Sequence, residues 1–128
     1  KNNAWIFDRI DRLIKQYNEN YKFDIYENVN TAQLTRYGIE EKYDWHMDLG
    51  KDRSSTRKLT VVVELSLPNS YEGGNIEIFY NEGDNTHSRI SCGDVIIFPS
   101  FVMHRAAEIK SGERWSLVFW CHGPEPFR

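Results

Sequence analysis

The spacing of the apolar residues changes once along this 128-residue chain, and the change restricts the possible folds more than any other feature. Up to about residue 17, apolar side chains recur at helical spacing, which predicts one helix at about residues 4–17. From residue 21 onward the period is two, and short β-compatible segments are separated by Gly, Pro, Asn and Asp. One helix followed by several short strands predicts a mainly β protein, an antiparallel sandwich or barrel.

The strand pattern is clearest in three segments. Residues 21–27 alternate between apolar and polar side chains, and residues 57–67 form a β-branched run that ends at Pro68. Residues 104–120 are predicted to form a hairpin that turns at Ser111–Gly112. No repeat or linker divides the chain, so we expect one domain over residues 1–128.

The overall composition is that of a globular protein, with 40% hydrophobic and 27% charged residues. The net charge of −3 and the lack of a basic block do not favour nucleic acid as a partner. No apolar run reaches the ~20 residues of a membrane span, so no membrane partner is expected. Cys92 and Cys121 lack metal-motif spacing, which predicts free thiols and a cytoplasmic location. The first residue is Lys1 and not Met, so the chain is either minimal or truncated at its N-terminus.

A His-x-Asp triplet provides the first candidate metal ligands. His46 and Asp48 are two residues apart, so a strand would place both on one face. His104 follows an apolar strand pattern and is the best third ligand. His87 lies in a polar segment that we expect to be a solvated loop, and His122 is expected after the last strand.

Two histidines and one carboxylate form a facial triad that leaves metal positions open, an arrangement that suits non-heme Fe(II). A zinc hydrolase uses similar ligands but also needs a general base. The chain has no His-Glu-x-x-His motif that would supply one.

A candidate anion site lies ten residues beyond His104, where strand alternation places Arg114, Ser116 and Trp120 on one face. A guanidinium binds a carboxylate through two hydrogen bonds, and the Ser116 hydroxyl can add a third. The alternative is that Arg114 forms a surface salt bridge with Glu113 or Glu108.

The chain resembles the 2-oxoglutarate- and Fe(II)-dependent dioxygenases, on their prolyl 4-hydroxylase-like branch. The resemblance implies a double-stranded β-helix, or jelly-roll, core at about residues 21–121, with the N-terminal helix packed on it. The matching segments follow the family's order and are LTRYG (34–38), HMD (46–48), VELSLP (63–68), EGGNIEIF (72–79), CGDVIIFPSFVMH (92–104) and GERWSLVFW (112–120).

This resemblance implies Fe(II) as the cofactor and 2-oxoglutarate and O2 as co-substrates, with ascorbate as an optional addition. It implies that the iron ligands are His46, Asp48 and His104, and that Arg114 and Ser116 hold the distal carboxylate of 2-oxoglutarate. Tyr37 and Ser66 match polar residues of the co-substrate pocket.

Trp120 is expected to lie near the metal and the substrate. The polar loop at residues 50–58 follows the His-x-Asp strand, where relatives cover their substrate. Its candidate substrate contacts are Arg53, Arg57 and Lys58. Strand alternation places Trp45 with Met47, away from the metal, and places Tyr43 on the same face as Trp45.

The activity implied by the resemblance is hydroxylation of prolyl residues in a peptide or protein, with release of succinate and CO2. Two alternatives remain at this point. The same chemistry could act on a free amino acid, another protein side chain or a nucleobase. Alternatively, the chain could be a non-catalytic jelly-roll binding module.

Overall fold

The computed structural model describes residues 3–81, 84–88 and 90–127, with only the backbone described for residues 80–81 and 84–88. The helix is α1 (Ala4–Asn18), which confirms its predicted position. The strands are β1 (Gln33–Tyr37), β2 (Tyr43–His46), β3 (Arg57–Glu64), β4 (Tyr71–Gly73), β5 (Ile76–Asn81), β6 (Asp84–Ser88), β7 (Val95–Pro99), β8 (His104–Ala106), β9 (Ile109–Gly112) and β10 (Arg114–His122). Short 3₁₀ helices span Asp52–Thr56 and Pro68–Ser70. Among these residues, no helix combines the length and apolarity needed to cross a bilayer.

The strands form two four-stranded antiparallel sheets. One has the order β1-β10-β3-β7 and the other the order β2-β8-β5-β6, while β4 pairs with β9 in a separate two-stranded sheet. Residues from both larger sheets line one cavity. This arrangement confirms the prediction of a mainly β jelly roll with an N-terminal helix.

The central strands β3 and β10 each separate the hydrophobic core from the cavity. On one face, Leu59, Val61 and Phe119 are fully buried in a cluster that includes Ile10 and Ile14 of α1. On the opposite face, alternate residues of both strands line the cavity. Because successive side chains point to opposite faces of each strand, one face packs in the core and the other face lines the cavity.

The strand predicted at residues 21–27 is wrong, since the first strand begins at Gln33. The Asn18 side chain accepts a hydrogen bond from the Phe23 amide at 3.0 Å and donates one to the Phe23 carbonyl at 2.9 Å. Phe23 and Ile25 then pack against the core of α1. Phe23 and Ile25 are thus partly buried without sheet pairing, whereas Tyr21 and Tyr26 are exposed.

The hairpin predicted at residues 104–120 is also wrong. β9 pairs with β4, whereas β10 pairs with β1 and β3. Gly112 ends β9, two residues before β10 begins, and has a φ of +74°. A Cβ there would lie 2.2 Å from the carbonyl oxygen of Ser70. The glycine therefore permits a change of direction and of partner strand rather than a tight hairpin.

Replacing Gly73 with alanine is expected to lower the free energy of unfolding by about 3 kcal/mol. Gly73 has a φ of +76°, and a Cβ at this position would lie 2.2 Å from the carbonyl oxygen of Glu108. Gly93→Ala is the matched control, because its φ is +89° but nothing lies within 4 Å of the added atom. We expect the control to cost about 1 kcal/mol. Urea denaturation measures both values, and equal losses would show that the contact with Glu108 is not costly.

Candidate metal and co-substrate site

The structure brings the three predicted metal ligands together. His46 ends β2 and lies opposite His104 of β8 in the antiparallel register, and Asp48 follows two residues after His46. Asp48 Oδ1 is 3.3 Å from His46 Nε2 and 3.5 Å from His104 Nε2. The three potential ligand atoms all lie within 4.8 Å of one another. This cluster has the size and donor set of a metal site.

Hydrogen bonds to the backbone orient both imidazole rings. His46 Nδ1 donates to the carbonyl of Asp44 at 2.6 Å, and His104 Nδ1 donates to the carbonyl of Val102 at 2.9 Å. Because a carbonyl can only accept, each Nδ1 carries a proton, and Nε2 is left to face Asp48, where its lone pair can bind a metal ion once Nε2 carries no proton. Two such lone pairs and a carboxylate oxygen therefore converge on one position, and this convergence suits a cation.

Asp48 is held so that one carboxylate oxygen remains available. Its Oδ2 accepts hydrogen bonds from Thr60 Oγ1 at 2.8 Å and from Trp120 Nε1 at 3.2 Å. Thr60 in turn lies 2.9 Å from the hydroxyl of the fully buried Ser100. Since Thr60 donates its only hydroxyl proton to Asp48, Ser100 donates to Thr60. Asp48 Oδ1 is left to face the two imidazoles.

The same contacts control the protonation of the triad. Burial acts to raise the pKa of Asp48, but hydrogen bonds with His104, His46 and Thr60 outweigh burial and hold this pKa far below its usual value. Burial acts to lower the pKa of His46, but hydrogen bonds to Asp48 and to the Asp44 carbonyl raise it overall. Asp48 is therefore a stable anion, as a metal ligand must be.

Thr60→Val is expected to weaken the binding of Mn(II) or Fe(II) by about tenfold, because it removes a hydrogen bond to a ligating carboxylate while preserving the side-chain shape. Thr35→Val is the matched control, since Thr35 also lines the cavity but bonds Gln33 rather than Asp48. Calorimetric titration with Mn(II) measures both affinities. Equal affinities in Thr60→Val and the wild type would show that this hydrogen bond does not support the metal site.

Arg114 provides a buried cation in the same cavity. It is 3% exposed, opens β10 and lies opposite Tyr37 of β1. Its Nε donates to Glu64 Oε2 at 3.1 Å, whereas its buried Nη2 has no hydrogen-bond partner among the described residues. A buried N–H without an acceptor is costly, so this atom indicates a place for an anionic ligand. The Ser116 hydroxyl lines the same cavity, as strand alternation predicted.

The predicted alternative for Arg114, a surface salt bridge, is wrong. Glu113 accepts hydrogen bonds from Arg36 at 2.9 Å and from the Trp115 indole at 3.0 Å, and Glu108 is exposed. The buried partner of Arg114 is Glu64, which the sequence analysis did not identify. The feature of the sequence that could have identified Glu64 is that it is a single acidic residue within a β-branched run.

Tyr37 and Trp120 also lie where the sequence analysis placed them. Both line the cavity, and Val62 and Val118 contribute apolar area to its wall. Burial raises the pKa of Tyr37, although the nearby charge of Arg114 acts to lower it. The phenol is therefore a hydrogen-bond donor at neutral pH.

Ser66 has a structural contact instead of a place in the cavity wall. Its hydroxyl accepts a hydrogen bond from the Trp115 amide at 2.8 Å, and this bond links the segment after β3 to β10. Ser66 is not among the residues that line the cavity, so the structure does not place it in the co-substrate pocket as predicted.

The three predicted substrate contacts have different positions. Arg57 lies with its guanidinium carbon 3.9 Å from the ring centre of Trp120, and its Nη1 donates to the Asp48 carbonyl at 3.1 Å. Lys58 is buried, with its ammonium 4.2 Å from the ring centre of Phe127. Arg53 is exposed in the 3₁₀ helix. None of the three is among the residues that line the cavity, but Arg57 contacts two residues that do, Asp48 and Trp120.

Tyr43 is a cavity residue that the sequence analysis missed. Its ring stacks on the His46 imidazole with centroids 3.8 Å apart and an interplanar angle of 18°. The pairing of β2 with β8 shifts register between Tyr43 and His46. This irregularity turns Tyr43 toward the cavity, whereas strict alternation would turn it away.

The structure also corrects the predicted positions of the other two histidines. The prediction that His87 is in a loop is wrong, because its backbone belongs to β6 and pairs with Glu77. The prediction that His122 follows the last strand is also wrong, because it ends β10, and its Nδ1 lies 2.8 Å from Thr56 Oγ1.

The family model of the 2OG-Fe(II) oxygenase superfamily matches residues 32–122. The chain belongs to this superfamily. The matched segment contains the triad, Arg114 and the strands that form the cavity. The resemblance inferred from the sequence is thereby confirmed, and the superfamily's Fe(II) and 2-oxoglutarate agree with the donor set described above.

A curated relative also supports membership of this superfamily. A PKHD-type hydroxylase of Synechococcus sp. (strain CC9605) is 32% identical over 98 residues, which are 77% of this chain and 44% of the relative. The chain thus spans less than half the length of this curated relative.

Solved structures share the fold. A prolyl-4-hydroxylase of Pseudomonas putida aligns with a TM-score of 0.73 and 22% identity, covering 89% of this chain and 63% of that protein. A viral collagen prolyl hydroxylase from Paramecium Bursaria Chlorella virus-1, in a 2OG complex, aligns with a TM-score of 0.67 and 22% identity, covering 94% and 74%. At this identity the likeness shows a common jelly-roll architecture.

Proposed function

We propose that this chain carries the active site of an Fe(II)- and 2-oxoglutarate-dependent dioxygenase that hydroxylates prolyl residues in a peptide or protein and releases succinate and CO2. One observation carries the proposal: two imidazoles and a carboxylate converge in the cavity that also holds a buried arginine with an unpaired Nη2. A metal site alone would suit many reactions. The added anion site restricts the chemistry to a metal enzyme that also binds a carboxylate.

The residues present fit the proposed cofactor and co-substrate. His46, Asp48 and His104 would hold Fe(II), because imidazole and carboxylate ligands suit this ion. When bound, iron with 2-oxoglutarate and O2 supplies the oxidising chemistry, which no protein side chain can provide. O2 is therefore the second co-substrate, and ascorbate is an optional reductant to be varied in the assay.

The remaining side chains bind, orient and exclude water. Arg114 and Ser116 would hold the distal carboxylate of 2-oxoglutarate, and a guanidinium fixes both its position and its plane. Thr60 and Trp120 keep Asp48 in one orientation through their hydrogen bonds to Oδ2. The apolar wall formed by Val62 strengthens these electrostatic contacts by excluding solvent.

The proposed substrate is a proline-containing peptide or protein. Support comes from the names of the two solved proteins of the same fold, both prolyl hydroxylases. Tyr43 is consistent with this substrate, since its ring is 54% exposed, lines the cavity and lies beside the metal ligand His46. A flat aromatic surface in this position offers contact area to a pyrrolidine ring.

A panel of proline-containing peptides tests the substrate. With Fe(II), 2-oxoglutarate and O2, with and without ascorbate, we expect succinate formation above the peptide-free rate and a product heavier by one oxygen atom. The same peptides with alanine in place of proline are the matched controls. Succinate without an oxygenated peptide would contradict a prolyl substrate, and free amino acids and nucleobases in the same assay would identify another substrate class.

We also propose a cytoplasmic location, based on the thiols. Cys92 and Cys121 are both free cysteines. Burial raises the pKa of Cys121 to about 11, which keeps it an unreactive thiol. Fractionation of cells that produce the full-length protein tests this location, and recovery outside the cytoplasmic fraction would contradict it.

A further inference from the structure

We propose that Glu64 is a positioning residue for Arg114. It holds the Nε–H of the guanidinium so that an Nη atom remains available for the distal carboxylate of the co-substrate. This inference rests on the proposed function, because it assigns a role in binding 2-oxoglutarate. It adds a residue that neither the metal triad nor the resemblance to known dioxygenases identified.

The Glu64 carboxylate is fixed by its own surroundings. Glu64 is 1% exposed and ends β3, opposite Ser116 of β10. Its Oε1 accepts hydrogen bonds from the amides of Leu65 at 3.1 Å and Ser66 at 3.3 Å. Its Oε2 accepts the hydroxyl of Tyr71 at 2.8 Å, in addition to Arg114 Nε at 3.1 Å. Three donors besides Arg114 therefore keep this carboxylate in place.

The supporting tyrosine is itself immobilised. Tyr71 is 4% exposed, and its ring lies 3.3 Å from the position that a Cβ of Gly74 would occupy. Gly74 has a φ of +68°. The turn after β4 thus places a small residue against the ring that supports Glu64.

A fixed acceptor selects one orientation of a flexible arginine. With Nε bound by Glu64, the guanidinium plane is set, and Nη2 is left buried without a partner among the described residues. Arg114 lines the cavity, so a carboxylate that enters the cavity can accept hydrogen bonds from the terminal nitrogens of its guanidinium. Glu64 orders the Arg114 side chain before the ligand binds. The entropic cost of this ordering therefore does not reduce the binding affinity for the co-substrate.

The charge of Glu64 has an opposing effect. It compensates the buried Arg114, but it also repels an incoming carboxylate. If orientation dominates, removing the charge weakens co-substrate binding. If repulsion dominates, removing the charge tightens binding. The two possibilities differ in sign, so one affinity measurement separates them.

The test is calorimetric titration of 2-oxoglutarate into the Mn(II)-loaded protein. Glu64→Gln is expected to raise the Kd about tenfold. Glu113→Gln is the matched control with unchanged affinity, because Glu113 also accepts an arginine Nε–H, from Arg36 at 2.9 Å, and neither residue is among those that line the cavity. Tyr71→Phe removes one support of Glu64 without a change of charge and is expected to raise the Kd about threefold. It remains informative if Glu64→Gln does not fold.

A double-mutant comparison separates positioning from a general disturbance of the pocket. In an Arg114→Lys background, Glu64→Gln should no longer weaken binding, since lysine has no Nε–H edge to be held. The Arg114 Nε–H resonance in ¹⁵N spectra should also move on Glu64→Gln, independently of any ligand. Unchanged or tighter binding in Glu64→Gln, or an equal loss in both backgrounds, would overturn the positioning role. No binding by the wild type would instead overturn the proposed function, and this inference with it.

Discussion

Asp48→Ala is expected to reduce the binding of Fe(II) or Mn(II) by more than about 100-fold, and hydroxylation with it. Among the described residues, Asp48 supplies the carboxylate of the cluster, and its Oδ1 faces both imidazoles at 3.3 and 3.5 Å. The substitution also leaves the donors of Thr60 and Trp120 without their acceptor, which we expect to cost about 2 kcal/mol of stability. Metal titration and urea denaturation measure the two effects.

Asp44→Ala is the matched control for Asp48→Ala. Asp44 is an exposed acid of β2, four residues before Asp48, and it orients His46 through its backbone carbonyl, which alanine retains. We therefore expect metal affinity close to that of the wild type. Strong metal binding by Asp48→Ala, or equal losses in the two variants, would contradict the ligand assignment.

Arg114→Leu is expected to abolish measurable binding of 2-oxoglutarate and to destabilise the fold by about 4 kcal/mol. The cost arises because the Glu64 carboxylate, which is 1% exposed, would remain buried without its cation. Titration with 2-oxoglutarate and urea denaturation give the two values. Removing an exposed arginine would change the stability only slightly. The size of the loss of stability in Arg114→Leu therefore also tests the burial of Arg114.

A second substitution separates the two consequences of Arg114→Leu. The double variant Arg114→Leu with Glu64→Leu removes both charges, and we expect it to regain most of the lost stability. It should not regain binding of 2-oxoglutarate, because no cation remains to hold the distal carboxylate. Binding by either variant would contradict the assigned role of Arg114.

The parts of the site that depend on strand alternation were predictable from the sequence. Arg114, Ser116 and Trp120 follow the period of β10, whereas Asp48 lies in a bend beyond the end of β2 and stays near His46 because only one residue separates them. Parity along a strand is a local property, so the shared face of these residues needed no knowledge of the fold. The helix was likewise predictable, since Ile10 and Ile14 mark the face that becomes buried.

The parts that depend on pairing between distant strands were not predictable. Glu64 reaches Arg114 because β3 lies next to β10, and this register joins residues fifty positions apart. Tyr43 faces the cavity because of an irregularity in the pairing of β2 with β8. The segment at residues 21–27 has a strand-like pattern, but the Asn18 side chain binds its backbone. In each case, a contact outside the local sequence decides the outcome.

We expect one cavity to hold both the iron and the co-substrate. Anaerobic addition of Fe(II) and then 2-oxoglutarate to the purified protein tests it most directly, by visible absorption. We predict a weak charge-transfer band that requires both additions and is absent in Asp48→Ala and in Arg114→Leu. A band of wild-type intensity in Asp48→Ala, or no band in the wild-type protein, would contradict the claim.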